Sequence, residues 1–137
     1  MQQSLIERLL DEVLFSRLRI LLVENHEDSL TYLTRYLQQL GHEVCGVRDM
    51  ASAIKVISSS NFDVLISDIG LPDGDGSQLI RQMTPKPFGI AMSGFGTSSD
   101  REKSLAAGYK HHLTKPFLPD DLDALLQEAA SQITEKV

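Results

Sequence analysis

The sequence lacks several features that would place it in a specialised class of protein. Its 137 residues include no tryptophan, a single cysteine and no long uninterrupted hydrophobic run. One cysteine excludes an intramolecular disulfide and a cysteine-based zinc site, so Cys45 is expected to be a small buried strand residue. Charged residues interrupt the first twenty positions, which argues against a signal peptide or a membrane span. We therefore expect a cytoplasmic protein without membrane contact.

Positive charge is also scarce in this chain. Thirteen Lys and Arg stand against nineteen Asp and Glu, giving a net charge of −6. Because nucleic-acid affinity comes largely from basic side chains on phosphates, we do not expect the protein to bind nucleic acid. A hydrophobic content of 42% and a charged content of 23% are ordinary for one globular domain of this length.

Strand and helix patterns alternate along the chain from residue 19 onward. Predicted strands cover residues 19–23, 43–47, 62–67, 88–92 and 109–113. Predicted helices cover residues 28–40, 50–57, 78–83, 97–107 and 119–133. This alternation predicts an α/β fold with a five-stranded parallel sheet covered on both faces. The flavodoxin-like strand order 2-1-3-4-5 is the expected topology.

A further helix precedes this pattern. Apolar residues recur at helical spacing between Leu5 and Leu14, which predicts a helix over residues 1–17. Because the first strand begins near residue 18, the helix is additional to the α/β domain at residues 18–137. We expect it to be a linker or a dimerisation helix through which two copies of the chain associate.

The first, third, fourth and fifth predicted strands each end next to functional side chains. These are Glu24 and Asn25, then Asp68, Ser93 and Lys115. Since the carboxyl ends of parallel strands form the binding edge of open α/β sheets, these groups are predicted to meet. The first three supply oxygens that suit Mg²⁺. With that ion, a hydroxyl and a lysine to neutralise a phosphoryl group, Asp68 is predicted to be a nucleophile that forms an aspartyl phosphate.

Four segments, taken in order, resemble the receiver domain of two-component response regulators over about residues 18–134. They are Ile-Leu-Leu-Val-Glu24-Asn25, Ser-Asp68-Ile-Gly-Leu-Pro-Asp-Gly-Asp-Gly76, Ala-Met-Ser93-Gly and Lys115-Pro116-Phe117. The resemblance implies that Asp68 accepts phosphate from a histidine kinase or a phosphotransfer protein in a phosphorelay. It implies a required Mg²⁺, held by the acidic and amide residues above together with the Gly70 backbone carbonyl. It also implies that Ser93 and Lys115 contact the phosphoryl group, and that the Lys115–Pro116 bond is cis.

Three positions depart from the family pattern. Asn25 replaces the usual second Asp, which removes one negative charge and predicts weaker Mg²⁺ binding and slower phosphorylation. His112 occupies the aromatic switch position three residues before the lysine, so Ser93 and His112 form the predicted switch pair, with or without a pH dependence. His111 points to the opposite face of the strand, which argues against a shared metal site. Gly70 has no side chain to orient an attacking water, which is consistent with slow dephosphorylation.

Two other functions stay open on the sequence. A receiver that is no longer phosphorylated would act as a protein-interaction module. An aspartyl-phosphate phosphatase of the haloacid dehalogenase group would use the same nucleophile, but that group has a second Asp where this chain has Gly70. The chain is therefore predicted not to be an enzyme beyond its own phosphotransfer and dephosphorylation. Because it ends soon after the last predicted helix, we expect a stand-alone regulator or the receiver part of a hybrid kinase.

Overall fold

The computed structural model describes residues 4–7, 17–94 and 98–135. Its parallel strands are β1 (Arg19–Val23), β2 (Glu43–Val47), β3 (Val64–Asp68), β4 (Phe88–Ser93) and β5 (His111–Thr114). Within the described residues from 17 onward, its α-helices are α1 (Glu27–Gln39), α2 (Met50–Ile57), α3 (Ser98–Ala107) and α4 (Pro119–Glu135). The strand order β2-β1-β3-β4-β5, with every neighbouring pair parallel, confirms the predicted fold and topology.

Both faces of the sheet are buried. Successive strand residues point to opposite faces, so Ile20 and Leu22 pack with α1 and α4, whereas Leu21 and Val23 pack with α2. All five residues of β3 are buried, as expected for a central strand covered from both sides. Because the two faces are covered, the strand-end side chains are exposed to a ligand only at the carboxyl edge of the sheet.

Two strand boundaries differ from the prediction in a way that affects the site. Asp68 is the last residue of β3 and pairs with Met92 of β4, rather than following the strand. The fifth strand starts two residues later than predicted and ends one residue later, at Thr114, so Lys115 follows it immediately. The Lys115 main-chain amide donates to the Ser93 carbonyl at 2.8 Å. The ladder therefore holds the main chain of Asp68 and ties that of Lys115 to β4.

The segment between β3 and β4 corrects the predicted helix at residues 78–83. It contains two 3₁₀ turns, Gly76–Gln78 and Ile80–Gln82. The helix prediction is wrong because Pro85 stops the segment after too few residues for α-helix propagation, and short 3₁₀ pieces serve instead. Leu79 and Ile80 are still fully buried, so the segment covers the sheet as a helix would.

The four observed helices begin and end within two residues of the predicted bounds. Gly41 and Gly108 have φ angles of 97° and 122°, the left-handed conformation in which glycine ends a helix. Asp49 caps α2 by accepting a hydrogen bond from the Ser52 amide at 2.8 Å. Thr97, the first residue of the helix predicted over residues 97–107, lies outside the described residues.

Cys45 is only partly buried, which corrects the expectation of a buried residue. It lies in β2, and this strand is at one edge of the sheet. An edge strand has a neighbour on one side only, so its side chains are less completely covered.

Only residues 4–7 and Arg17 of the helix predicted over residues 1–17 are described, and Arg17 is not helical. Residues 5–7 are helical, and Ser4 and Glu7 form reciprocal capping bonds in which the Glu7 amide donates to Ser4 Oγ at 3.1 Å. Residues 1–3 and 8–16 lie outside the described residues, so the linker or dimerisation role stays a prediction. In the described part of the chain, no helix combines the length and the apolar character that crossing a membrane requires.

Candidate functional site

Asp68, Glu24 and Lys115 meet at the carboxyl edge of the sheet, as predicted. Lys115 Nζ lies 2.8 Å from Asp68 Oδ1, and 2.7 and 2.8 Å from the two carboxylate oxygens of Glu24. The Glu24 side chain is fully buried and that of Asp68 is 10% exposed. The ammonium group therefore bridges two carboxylates, and the trio carries a net charge of −1.

The second oxygen of Asp68 is hydrogen-bonded to the main chain that follows β1. Asp68 Oδ2 accepts a hydrogen bond from the Asn25 amide at 3.2 Å. The Asn25 carbonyl in turn accepts two weak bonds from the Arg48 guanidinium at 3.4 Å. Because both carboxylate oxygens have partners and the main chain is in the ladder, the orientation of the Asp68 side chain is well determined.

An open cleft of about 430 Å³ lies beside this trio. It is lined by Asn25, His26, Asp68, Ile69, Gly70, Met92, Ser93, Gly94, Asp100 and Lys115. A larger groove of about 700 Å³ lies between α1 and the start of α4 and contains none of the predicted site residues. The chemistry of the strand ends, rather than the size of the depression, therefore marks the site.

Gly76 packs against the main chain of Asp68. A Cβ atom at this position would lie 1.9 Å from the Asp68 carbonyl oxygen, so no other residue fits without backbone movement. The Gly76 carbonyl accepts a hydrogen bond from the buried Tyr109 hydroxyl at 2.6 Å. Burial raises the pKa of Tyr109, which keeps the hydroxyl protonated as a donor. The loop after β3 is thereby held against the strand end.

The acidic residues of the same loop are structural. Asp73 accepts hydrogen bonds from the first two amides of α2, those of Met50 and Ala51, at 2.7 and 2.9 Å. Asp75 accepts from the amide and hydroxyl of Ser77 and forms an ion pair with Lys103 of α3. These contacts join the loop to α2 and α3. The sequence did not predict either contact, because the loop and the helix residues it contacts are far apart in the chain.

Ser93 and His112, the predicted switch pair, are in direct contact. His112 Nε2 lies 2.7 Å from Ser93 Oγ, and His112 Nδ1 lies 2.8 Å from Ser104 Oγ. Burial lowers the pKa of His112, the Arg101 guanidinium lowers it further, and the Asp100 carboxylate opposes them. His111 pairs with Glu128 of α4 on the opposite face, as the strand alternation predicts.

Ser104 is the site residue that sequence reasoning missed. It is fully buried on α3, and its hydroxyl donates to the Arg101 carbonyl one turn earlier at 3.0 Å. The signal available in the sequence is its spacing of three residues before the buried Ala107, which places both on the helix face that packs on the sheet.

The oxygen donors of the cleft fit Mg²⁺ only in part. Among the residues described, no three His, Cys, Asp or Glu side chains converge as a metal site. Asp68, Asn25 and the Gly70 main chain line the cleft, whereas Glu24 does not, because both of its oxygens face Lys115. Since Mg²⁺ needs only one or two carboxylates and retains several waters, this donor set is chemically suitable but has little negative charge.

The predicted cis peptide at Lys115–Pro116 is present, and Thr84–Pro85 is also cis.

The carboxylate at the end of β3 is bridged to Glu24 by the lysine that follows β5, in a sheet of order 2-1-3-4-5, which is the arrangement expected of a receiver domain. Residues 20–127 match the response regulator receiver domain. The chain therefore belongs to the receiver domain family of response regulators.

Relatives of known type agree with this assignment. Sensor protein EvgS of Escherichia coli K12 is 30% identical over 115 residues, which are 82% of this chain and 10% of EvgS. Transcriptional regulatory protein TcrA of Mycobacterium tuberculosis H37Rv is 34% identical over 116 residues, 82% of this chain and 46% of TcrA. The chain thus spans a tenth to just under half of these two proteins.

A solved receiver domain shows the same architecture. The receiver domain of the sensor histidine kinase PA1611 from Pseudomonas aeruginosa PAO1 superimposes with a TM-score of 0.75 at 30% identity, covering 84% of this chain and 98% of that domain. That structure holds a magnesium ion coordinated in its active-site cleft. None of these relatives supports the phosphatase alternative, and the family assignment makes this chain a phosphoacceptor receiver of two-component signalling.

Proposed function

We propose that Asp68 accepts a phosphoryl group from the phosphohistidine of a histidine kinase or a phosphotransfer protein. The observation that carries the proposal is the 2.8 Å contact between Lys115 Nζ and Asp68 Oδ1 at the mouth of an open cleft. Receiver domains of two-component systems interact with such partners. The particular kinase is left undefined by the site, whose groups recognise the phosphoryl group rather than a partner's sequence.

Each residue of the site has a distinct part in the transfer. A carboxylate oxygen of Asp68 attacks phosphorus while the phosphorus–nitrogen bond of the donor breaks, and the imidazole leaves. Lys115, already positioned by Glu24, stays beside the oxygens that gain negative charge. Ser93, on the neighbouring strand end, offers a hydroxyl to the transferred group. A Mg²⁺ ion held by Asp68, Asn25 and the Gly70 carbonyl would supply further charge neutralisation.

The charge at position 25 sets the strength of metal binding. Glu24 and Asp68 contribute −2 and Lys115 +1, so the site carries −1, and Asn25 adds nothing. Asn25→Asp would double the negative charge facing a dication. We expect Asn25→Asp to tighten Mg²⁺ binding by about tenfold or more, equivalent to about 1.4 kcal/mol. Calorimetric titration measures this, and equal affinities would refute the charge argument.

Phosphorylation itself is tested with acetyl phosphate and Mg²⁺ followed by intact-mass measurement. The wild-type chain is expected to gain one phosphoryl group and Asp68→Asn none. Asp73→Asn is the matched control, since this neighbouring carboxylate caps α2 and is expected to leave labelling intact. Labelling that persists in Asp68→Asn would overturn the assignment. No labelling of the wild type would favour a phosphorylation-independent receiver, the second candidate that Asn25 specifically supports.

The remaining functional expectations stand as proposals beside the phosphorylation of Asp68. We propose that the chain turns over no external substrate, because Gly70 supplies no general acid beside Asp68. We also propose a cytoplasmic location and association of two copies through residues 1–17. Sedimentation of the chain with and without residues 1–16 tests the last point, and a monomer in both cases would remove the dimer.

A further inference from the structure

We infer that Ser104 is a positioning residue for phosphorylation, because it orients the His112 ring so that a proton is taken up there when the phosphoryl group arrives. The inference rests on the proposed phosphorylation of Asp68. It concerns a chain of three side chains, Ser104, His112 and Ser93, that runs from the buried face of α3 to the cleft.

The direction of the hydrogen bonds follows from Ser104. A hydroxyl has one hydrogen, and that of Ser104 is donated to the Arg101 carbonyl at 3.0 Å. Towards the ring Ser104 must therefore accept, which assigns the hydrogen to His112 Nδ1. In a neutral imidazole the other nitrogen then has only a lone pair. His112 Nε2 consequently accepts the hydroxyl hydrogen of Ser93 across 2.7 Å.

This direction opposes the bond that a phosphoryl group needs. Phosphoryl oxygens accept hydrogen bonds, but the Ser93 hydrogen is directed to the ring. A proton from solvent added at His112 Nε2 reverses the bond, since the ring then donates to Ser93 Oγ. The Ser93 hydrogen becomes available to the phosphoryl oxygen, and the bond from Nδ1 to Ser104 is kept. Protonation of His112 and phosphorylation of Asp68 are therefore linked.

The surroundings of the ring keep it neutral before phosphorylation. From α3 it is faced by Ser104, Arg101 and Asp100, and from β4 by the Ser93 hydroxyl. Burial lowers the pKa of His112 and Arg101 lowers it further, with Asp100 acting in the opposite sense. A doubly negative phosphoryl group beyond Ser93 favours the imidazolium and raises this pKa. His112 therefore has a higher pKa with the phosphoryl group than without it. By linkage, affinity for the phosphoryl group increases as the pH falls from the higher of these two pKa values to the lower.

The experiment uses beryllofluoride with Mg²⁺ as the phosphoryl mimic. Nitrogen-15 NMR of the His112 ring reports its tautomer and pKa, and calorimetry reports mimic affinity from about pH 5.5 to about pH 8. We expect the Nδ1–H tautomer in the free wild type and a higher pKa in the complex. Mimic affinity should rise by up to about tenfold for each unit of that pKa difference.

Three variants separate positioning from simple packing. His112→Phe keeps a ring without a titratable group, and its mimic affinity should lack the wild-type pH dependence. Ser104→Ala removes the acceptor for Nδ1 and should lose the Nδ1–H tautomer and part of the pH dependence. Ser104→Thr keeps the hydroxyl and should restore both, which a merely structural role would not require.

Each contrary result has a definite meaning. An Nε2–H tautomer in the free wild type would overturn the assigned direction of the bonds. Mimic binding with an unchanged His112 pKa, or with the same pH profile in His112→Phe, would overturn the coupling while leaving the proposed phosphorylation standing. If the wild type binds the mimic at no pH, both the proposed phosphorylation and the coupling are overturned.

Discussion

Replacing Lys115 with methionine removes the cation that bridges Glu24 and Asp68. Methionine has a similar length and no charge, so the main loss is electrostatic. The Glu24 side chain is fully buried and both of its oxygens lie within 2.8 Å of Lys115 Nζ. Removing one partner of a buried ion pair lowers the free energy of unfolding by about 3–5 kcal/mol, because the other charge is left uncompensated. Since the Lys115 side chain is 29% exposed, water replaces part of the contact, and we expect the lower value, about 3 kcal/mol.

The assay is equilibrium unfolding in urea, with the free energy of unfolding compared across a double-mutant cycle. Glu24→Gln removes the buried charge, so adding it to Lys115→Met should recover about 1–2 kcal/mol, the usual scale of coupling between contacting groups. Lys55→Met is the control at an exposed position of α2, where a change within about 0.5 kcal/mol is expected.

Two results would refute this reasoning. A loss below about 1 kcal/mol for Lys115→Met would mean that the Glu24 charge is adequately solvated or has another partner. Strict additivity of the two substitutions would mean that the two residues do not stabilise each other. Either result would also weaken the role of Glu24 in holding Lys115 beside Asp68.

Three further predictions concern the loop after β3 and the entry to β1. Gly76→Ala should cost on the order of 3 kcal/mol in urea unfolding, because its Cβ would lie 1.9 Å from the Asp68 carbonyl oxygen. Gly70→Ala, with no atom within 4 Å, should be near neutral, and equal effects would contradict the clash. Asp73→Ala should cost about 1 kcal/mol through loss of the α2 cap, whereas Asp73→Asn should retain most of it; no difference between the two would reject capping. Burial lowers the pKa of His42, whose neutral Nδ1 accepts the amide that enters β1. The folded pKa lies below the unfolded value, so this stability is present above about pH 6.5 and is lost on acidification. His42→Gln should flatten the fall of unfolding free energy below pH 6.5, and an unchanged slope would rule this out.

Most of the fold could be predicted from local patterns. The apolar runs of β1 and β3, and the glycines at 41 and 108, act through burial and backbone conformation that are properties of the residues themselves. The prediction of an α-helix at residues 78–83 was wrong because the segment is too short for one. Its 3₁₀ turns bury Leu79 and Ile80 as an α-helix would. Periodicity does not distinguish the two over such a length.

The site was predictable as a set of residues and less so as a set of contacts. Topology brings strand ends together whatever their side chains, so Asp68 and Lys115 were expected to meet. The same reasoning placed Glu24 among the metal ligands, and it did not anticipate that both oxygens of Glu24 contact Lys115. Asp73 and Ser104 were not anticipated in their roles, since each depends on how a particular helix packs.

The sequence by itself determined the architecture, the family and the acid, hydroxyl and lysine at the strand ends, because strand alternation and topology depend on local residue order. Only the tertiary structure decided which of these groups contact each other and which group of each hydrogen bond is the donor. Lys115 is shared between two carboxylates, and Ser93 donates to a histidine whose tautomer is imposed from α3. The physical reason is that hydrogen-bond direction depends on the next partner in space, and that partner lies on another element.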